Sequence, residues 1–357
     1  MATATRLPAP LARASARIGD STLLRHLVFA LLGMAVVILV LESTSEFRNA
    51  QFASMAYLGI AAGGLTVLTG LNGQLSLGHG AFMAIGAYTT ALFFQDSEPP
   101  LPVFVVLVIA TLVTLVIGAA VGVAAARLHG PYIAGATLAL AIAVPGIALY
   151  FNDTLGGEQG LNVLVPGIPE WFADMAFFVT GNEVSTSKYI GYIGWVCLIV
   201  TFVFLANLSR SRVGRVWRAV RDDEVAAEIA GINLGRARVL AFVVSTAAAG
   251  LAGAVLAMAA RITAPSGFTL TLSLTLLTAV VLGGLGSLLG ALIGAALLTF
   301  LPQVVTGVGR DAGLSDLQAA ELAPLVYGLT MVLVILLAPS GIVGSVRGMW
   351  RRRQESS

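Results

Sequence analysis

The sequence predicts an all-α integral membrane protein, a polytopic helical bundle of about ten transmembrane spans with both termini cytoplasmic. Three observations predict it. Of 357 residues, 57% are hydrophobic and 11% are charged, less than half of the roughly 25% charge that a soluble domain carries. The apolar residues fall in runs of roughly 18–25, enough to cross a ~30 Å hydrocarbon core at ~1.5 Å per residue. Arginines gather on alternate connections between those runs, as cytoplasmic loops do. A transmembrane barrel would instead show alternating segments of about ten residues.

The spans are expected near 23–41, 52–71, 76–94, 101–126, 131–151, 189–208, 239–260, 270–285, 287–305 and 322–338. The first follows Arg6, Arg13, Arg17 and Arg25. It is too long for a signal-peptide core and lacks a small-residue cleavage site, so it reads as an uncleaved span behind a cytoplasmic tail, residues 1–22. Spans two and three are separated only by Asn72–Leu75. Spans eight and nine meet in Gly283-Gly284-Leu285-Gly286. Each pair reads as a tight hairpin or as a broken, partly re-entrant helix.

With the N-terminus inside, 16 of the 20 basic residues fall on the cytoplasmic side, and only Arg48, Lys188, Arg261 and Arg310 fall outside. The permease domain then covers 23–341, with a long external loop at 152–188, a cytoplasmic loop at 209–238 and a basic C-terminal tail at 342–357. The external loop contains an amphipathic stretch, Trp171–Val179.

The cytoplasmic loop holds seven arginines and the stretch Arg221-Asp-Asp-Glu-Val-Ala-Ala-Glu-Ile-Ala-Gly231. Asp222 and Asp223 are helix-capping residue types, and a carboxylate such as Glu224 is favoured beside a helix N-terminus. Gly231 is a natural helix terminator. The expectation is a short helix to about Ala230, flanked by arginines; an ordinary basic connector is the plainer reading. Asn72, Gln74, Ser76 and His79 lie at or inside an apolar span, where polar groups must find protein partners or a wet cavity. They either line a translocation path or serve helix packing. The series Gly286, Gly290 and Gly294 forms a ridge for close helix contact.

Several absences weigh against other function classes. Lys188, the only lysine, follows Ser187 rather than glycine, so a phosphate-binding Gly-Lys-Ser/Thr loop is impossible. Any ATP is handled by another chain. No predicted span carries Asp or Glu near its middle, where ion-coupled transporters place carboxylates. Cys197 is the single cysteine, so no intrachain disulfide or cysteine metal site exists; it reads as a small apolar side chain. No nucleophile–base constellation points to an enzyme, and nothing calls for a cofactor or a nucleic-acid partner.

The residues also carry a resemblance. Glu224-Val-Ala226-Ala227 followed by Gly231-Ile232 resembles the "EAA" coupling loop of ABC-importer permeases, with Val225 interrupting the triplet and no Leu-Pro following. The stretch Arg218–Gly231 with Asn233 and Leu234 is similar to LivM-type branched-chain amino acid permeases in particular. Gly73-Gln-Leu-Ser-Leu-Gly-His-Gly-Ala-Phe-Met-Ala-Ile-Gly-Ala-Tyr88, the block 127–140, Gly156-Gly157 with Gly160, Ala264–Phe268, Val281–Gly290, and Tyr327-Gly328 through Pro339-Ser340-Gly341 resemble the family's further blocks, in order, over about 50–345.

The resemblance implies a pseudo-symmetric heterodimer with a LivH-type permease, two cytoplasmic ATP-binding subunits, an external solute-binding protein, and membrane lipid around the spans. It implies that Asp223, Glu224, Ala226, Ala227 and Gly231 couple the chain to the ATPase, and that Gly283, Gly284, Gly286 and Gly290 serve as hinge and packing positions. The implied solutes are leucine, isoleucine and valine. Urea or short amides, carried by a related family, remain an alternative; a stand-alone secondary transporter or channel is the alternative of another class.

Overall fold

In the computed structural model, residues 22–96, 99–128, 131–338 and 341–355 are described. The expectations for residues 1–21, for Pro339 and Ser340, and for residues 129–130 of the 127–140 block lie outside them. Among the described residues, nine helical segments are long and apolar enough to cross a membrane, one of them (Pro265–Gly283) by joining a 3-10 turn over Pro265–Phe268 to the helix that follows it.

Helix α1 (Thr22–Ser43) is followed by α2 (Glu46–Leu65), which continues without a break as a π-helix over Thr66–Leu71. Then come α3 (His79–Phe93), α4 (Val103–Ala125) and α5 (Pro131–Tyr150). The loop beyond α5 carries α6 (Glu170–Thr180), on the stretch the sequence marks as amphipathic. Helix α7 (Thr186–Arg210) leads into two short helices, α8 (Arg212–Asp222) and α9 (Glu224–Ile229). The chain continues through α10 (Leu234–Ala260), α11 (Leu270–Gly283), α12 (Leu288–Asp311), α13 (Asp316–Leu337) and α14 (Gly341–Glu355).

Several observed helices extend past the predicted apolar runs. Helix α2 starts at Glu46 rather than 52, and α10 at Leu234 rather than 239. Polar residues at a helix end lie beyond the hydrocarbon, so hydropathy does not register them.

One predicted span differs in kind. The run at 76–94 forms α3, which has 15 residues, about 22 Å at ~1.5 Å per residue and short of a ~30 Å core. The cause is the break before it: the chain leaves the helix at Asn72, turns at Gly73 (φ +81°) and stays non-helical to Gly78. Nor do α2 and α3 form a tight hairpin; α3 packs chiefly on α10, and α2 on α7 and α10.

Helix α10 is the hub of the bundle, packing on α2, α3 and α4. Small residues allow it. A Cβ on Gly253 would strike the Met83 carbonyl, and one on Gly86 would strike the Gly250 carbonyl, so the α3 and α10 backbones touch. In lipid, where no hydrophobic force drives helices together, such close approach supplies the packing contact. The outer helices show apolar residues to their surroundings: Phe29, Leu31 and Leu39 on α1, and Ile142 and Tyr150 on α5, are exposed.

At one end of the bundle, β1 (Leu161–Asn162) pairs antiparallel with β2 (Ile262–Thr263), Leu161 opposite Thr263. Beside it, Leu164 N–H donates to the Phe94 carbonyl at 2.7 Å. The Glu42 carboxylate at this end receives Lys188 Nζ (2.7 Å), the Tyr192 hydroxyl (2.8 Å) and Asn182 Nδ2 (3.0 Å), tying α1 to α7. The opposite end gathers the 72–78 break, α8, α9, the 284–287 break and Gly341.

Candidate functional site

The candidate site is built on α8 and α9. Ser211 starts α8, its hydroxyl oxygen accepting the Val213 N–H at 3.1 Å. Gly214, Trp217 and Val220 are buried at helical spacing, while Arg212, Arg215 and Arg218 point outward. Trp217 is fully buried and its indole N–H donates to the Ala237 carbonyl at 3.0 Å. That bond pins α8 to the first turn of α10. The arginine-rich segment is therefore an amphipathic helix seated on the bundle.

Asp223 ends α8 in extended backbone and caps α9, its carboxylate accepting the Ala226 N–H at 3.0 Å. This is the N-cap geometry that satisfies an orphan donor. At the other end, Gly231 N–H reaches the Glu228 carbonyl (2.9 Å) and Ile232 N–H the Ala227 carbonyl (3.0 Å). With Gly231 at φ +84°, the pair is a Schellman motif. Sequence reasoning anticipated one short helix between Asp223 and Gly231; the second helix, α8, was not resolved by it.

The exposed face of α9 is not the expected one. Ala227 is 4% exposed and packs into the chain's own core, whereas Val225 and Ile229 stand out at 67% and 83%. Ala226 is also exposed. Val225, which interrupts the Glu-Ala-Ala pattern, belongs to an outward apolar pair at i and i+4. Glu224 does more than sit at a helix N-terminus: its carboxylate receives Arg238 Nη2 at 2.6 Å, and that arginine side chain is 3% exposed. Nothing in the sequence distinguished Arg238 from the other loop arginines, because its burial comes from the packing of α10.

The polar segment 72–79 lies against this site. Asn72, Gln74, Ser76 and His79 are all buried. Gln74 Nε2 donates to the Asn72 side-chain oxygen and to the Arg238 carbonyl, the latter at 3.1 Å. Thr69 donates to the Gln74 carbonyl at 3.0 Å, and Gly78 N–H reaches the Ser76 hydroxyl at 3.4 Å. The His79 imidazole Nε2 meets the Ala61 carbonyl at 3.0 Å, so it is the protonated nitrogen. Leu77 N–H donates to Thr137 and Gly80 N–H to Ser273. Gln74 and His79 thus tie the break to α10 and α2, and the backbone amides of Leu77 and Gly80 tie it to α5 and α11. The Asn72 Nδ2 amide is buried with no hydrogen-bond partner among the described residues.

The glycine positions fall at the second break. Gly284 (φ +115°) and Gly286 (φ +80°) turn the chain between α11 and α12, and the Ser287 hydroxyl caps α12 by accepting the Gly290 N–H at 3.2 Å. A Cβ on Gly283 would strike the Gly290 carbonyl, and one on Gly294 the Ala279 carbonyl. The ridge therefore faces α11 of the same chain.

The family described as branched-chain amino acid transport system, permease component, matches residues 50–335. The chain is 32% identical over 313 residues to the high-affinity branched-chain amino acid transport system permease protein LivM of Salmonella typhimurium, covering 84% of this chain and 71% of that one. It is 31% identical over 330 residues to LivM of Escherichia coli K12, covering 87% and 75%. It is also 29% identical over 296 residues to the permease protein LivH of the same organism, covering 79% and 89%. No solved structure matches.

Proposed function

The chain belongs to the branched-chain amino acid transport system permease family, and we propose that it is the membrane-spanning subunit that moves leucine, isoleucine and valine through the cytoplasmic membrane in an ATP-binding-cassette importer. Partner ATPases drive it. The observation that carries this reading is α9, a six-residue helix capped at both ends whose exposed apolar pair, Val225 and Ile229, has no cover among the described residues. An aliphatic pair at i and i+4 on a fixed helix is the form that inserts into a groove on a partner.

In this account α8 and α9 face the cytoplasm, and two ATP-binding subunits engage the α9 helices of this chain and of a second, LivH-type permease. The similarity of this chain to both LivM and LivH relatives supports pairing of two like subunits. A solute-binding protein meets the opposite end, where 152–188 lies. Asn72, Gln74, Ser76 and His79 border the path for solute, and the buried Asn72 amide is the group that would meet it once the spans move apart. Asp223, Glu224 and Gly231 hold α9 in shape, Ala227 seats it, and Ala226, Val225 and Ile229 meet the ATPase.

The test is a pair of surface substitutions, Val225→Asp and Ile229→Asp. Neither side chain supports the bundle, so membrane abundance is expected to stay at the wild-type level. Burying one aliphatic side chain is worth about 1.5–3 kcal/mol, so each change should lower ATPase association roughly tenfold or more. Normal co-purification of the ATPases with both variants would remove α9 as the docking element.

A further inference from the structure

The docking helix is joined to the glycine breaks through one residue. Arg221, in the last turn of α8 and two residues before the Asp223 cap, extends its guanidinium to the Gly70 carbonyl (Nη1 to O, 2.5 Å). Its other nitrogens hold Asp222 Oδ1, at 3.1 and 3.3 Å. Gly70 sits in the π-helical end of α2, where the widened turn leaves the carbonyl to be satisfied from outside.

Gly70 also touches the second break. A Cβ placed on Gly70 would strike the amide nitrogen and Cα of Gly286, so the two backbones are in direct contact. Gly286 lies between α11 and α12, and the backbone of its neighbour Gly284 touches Gly341 at the start of α14 in the same way. The end of α2, the α11–α12 turn and the α14 turn thus meet at one point. Among the described hydrogen bonds, Arg221 is the side chain that ties the α8–α9 element to it.

We propose that Arg221 is the positioning residue through which displacement of α9 by the ATPases reaches the spans: it carries the movement to Gly70 and, across the Gly70–Gly286 contact, to α11 and α12. This rests on the importer reading above. The π-helix fits the role. Its wide turns occur as local adjustments at functional sites, and two backbones in glycine contact slide past each other without side chains to interlock. The link between Glu224 and buried Arg238 keeps α9 attached to α10 during that movement, so the load divides between α10 and the Arg221–Gly70 bond.

A cationic cap on a helix C-terminus is also a stabilising device, and that alternative makes a different forecast. Capping alone affects how much folded protein is recovered. Coupling affects how much ATP is used for each solute moved. The complete complex, with both permeases, the ATPases and the binding protein in proteoliposomes, is assayed for radiolabelled leucine uptake and ATP hydrolysis together.

Arg221→Met should retain its ATPase subunits, and the ATP consumed per leucine should rise at least about fivefold, the lower bound of common allosteric coupling. Arg221→Lys, which keeps a charged donor, should restore most of the wild-type ratio. Should Arg221→Met fail to assemble, Arg221→Gln, with a neutral donor, should show the same rise. A lower yield with an unchanged ratio would make Arg221 a cap only and overturn the proposal. The wild-type arm separates the two ideas: absence of ATP-dependent uptake there sinks the importer reading and this inference with it, whereas normal wild-type uptake with unchanged variant ratios sinks the inference alone.

Discussion

Replacing Gly231 with alanine should loosen α9 and leave the bundle intact. Gly231 adopts φ +84°, and a Cβ there meets nothing within 4 Å. Steric conflict with the chain is therefore absent, and the cost is the left-handed backbone itself, about 1–2 kcal/mol for an L side chain. That penalty falls on two hydrogen bonds, Gly231 to Glu228 and Ile232 to Ala227, in a helix of six residues. A shift of that size changes a local equilibrium by about 5–30-fold.

Amide hydrogen exchange in residues 226–232 should accelerate by that factor, while amides of α10 stay as in the wild type. Gly231→Asn should recover part of the protection, since asparagine enters the left-handed region more readily. ATPase association should fall by no more than the loss of capped helix, because affinity scales with the population of the competent state. Gly231→Leu adds bulk where the chain has open space, so any association loss beyond that of alanine measures the nearness of a partner. Unchanged exchange in Gly231→Ala would refute the capping argument. Faster exchange with unchanged association of all three variants would refute the docking role of α9.

Two further outcomes follow from the same geometry. Gly283→Val puts a Cβ into the Gly290 carbonyl, a backbone group that cannot step aside, so folded yield should drop severely; Gly267→Ala, where a Cβ meets nothing within 4 Å, is the control and should stay within about 0.5 kcal/mol of wild type. Equal yields would remove the close-packing argument for the second break. Exposed Glu183 and Arg215 lie just beyond opposite ends of α7; in a Cys197→Ala background, Glu183→Cys should react with an impermeant thiol reagent in intact cells and Arg215→Cys should not. The reverse pattern would invert the proposed topology.

The parts of the fold legible in the sequence are those set by the bilayer. A helix in lipid must be apolar over the hydrocarbon thickness, so nine helices of spanning length appear as apolar runs. The shortness of α3 did not, because its residues are as apolar as a span and the break before it depends on contacts of Leu77 and Gly78 with Thr137 on α5. The caps of α9 were legible, since Asp223 and Gly231 act through local backbone geometry. The facing of α9 was not: six residues are too few for a periodic pattern, and the inward turn of Ala227 is decided by the seat beneath it. Arg221 and Arg238 read as topogenic charge like their neighbours, and only packing distinguishes the two that reach inward.

ATP-driven import of branched aliphatic amino acids is read out as uptake in sealed proteoliposomes. The purified complex is reconstituted with ATP on the side of the ATPases and the leucine-loaded binding protein on the other. Leucine accumulation should require ATP and the binding protein, be competed by isoleucine and valine, and be lost with Ile229→Asp. Accumulation that persists without ATP, or that Ile229→Asp leaves unchanged, would contradict the importer reading.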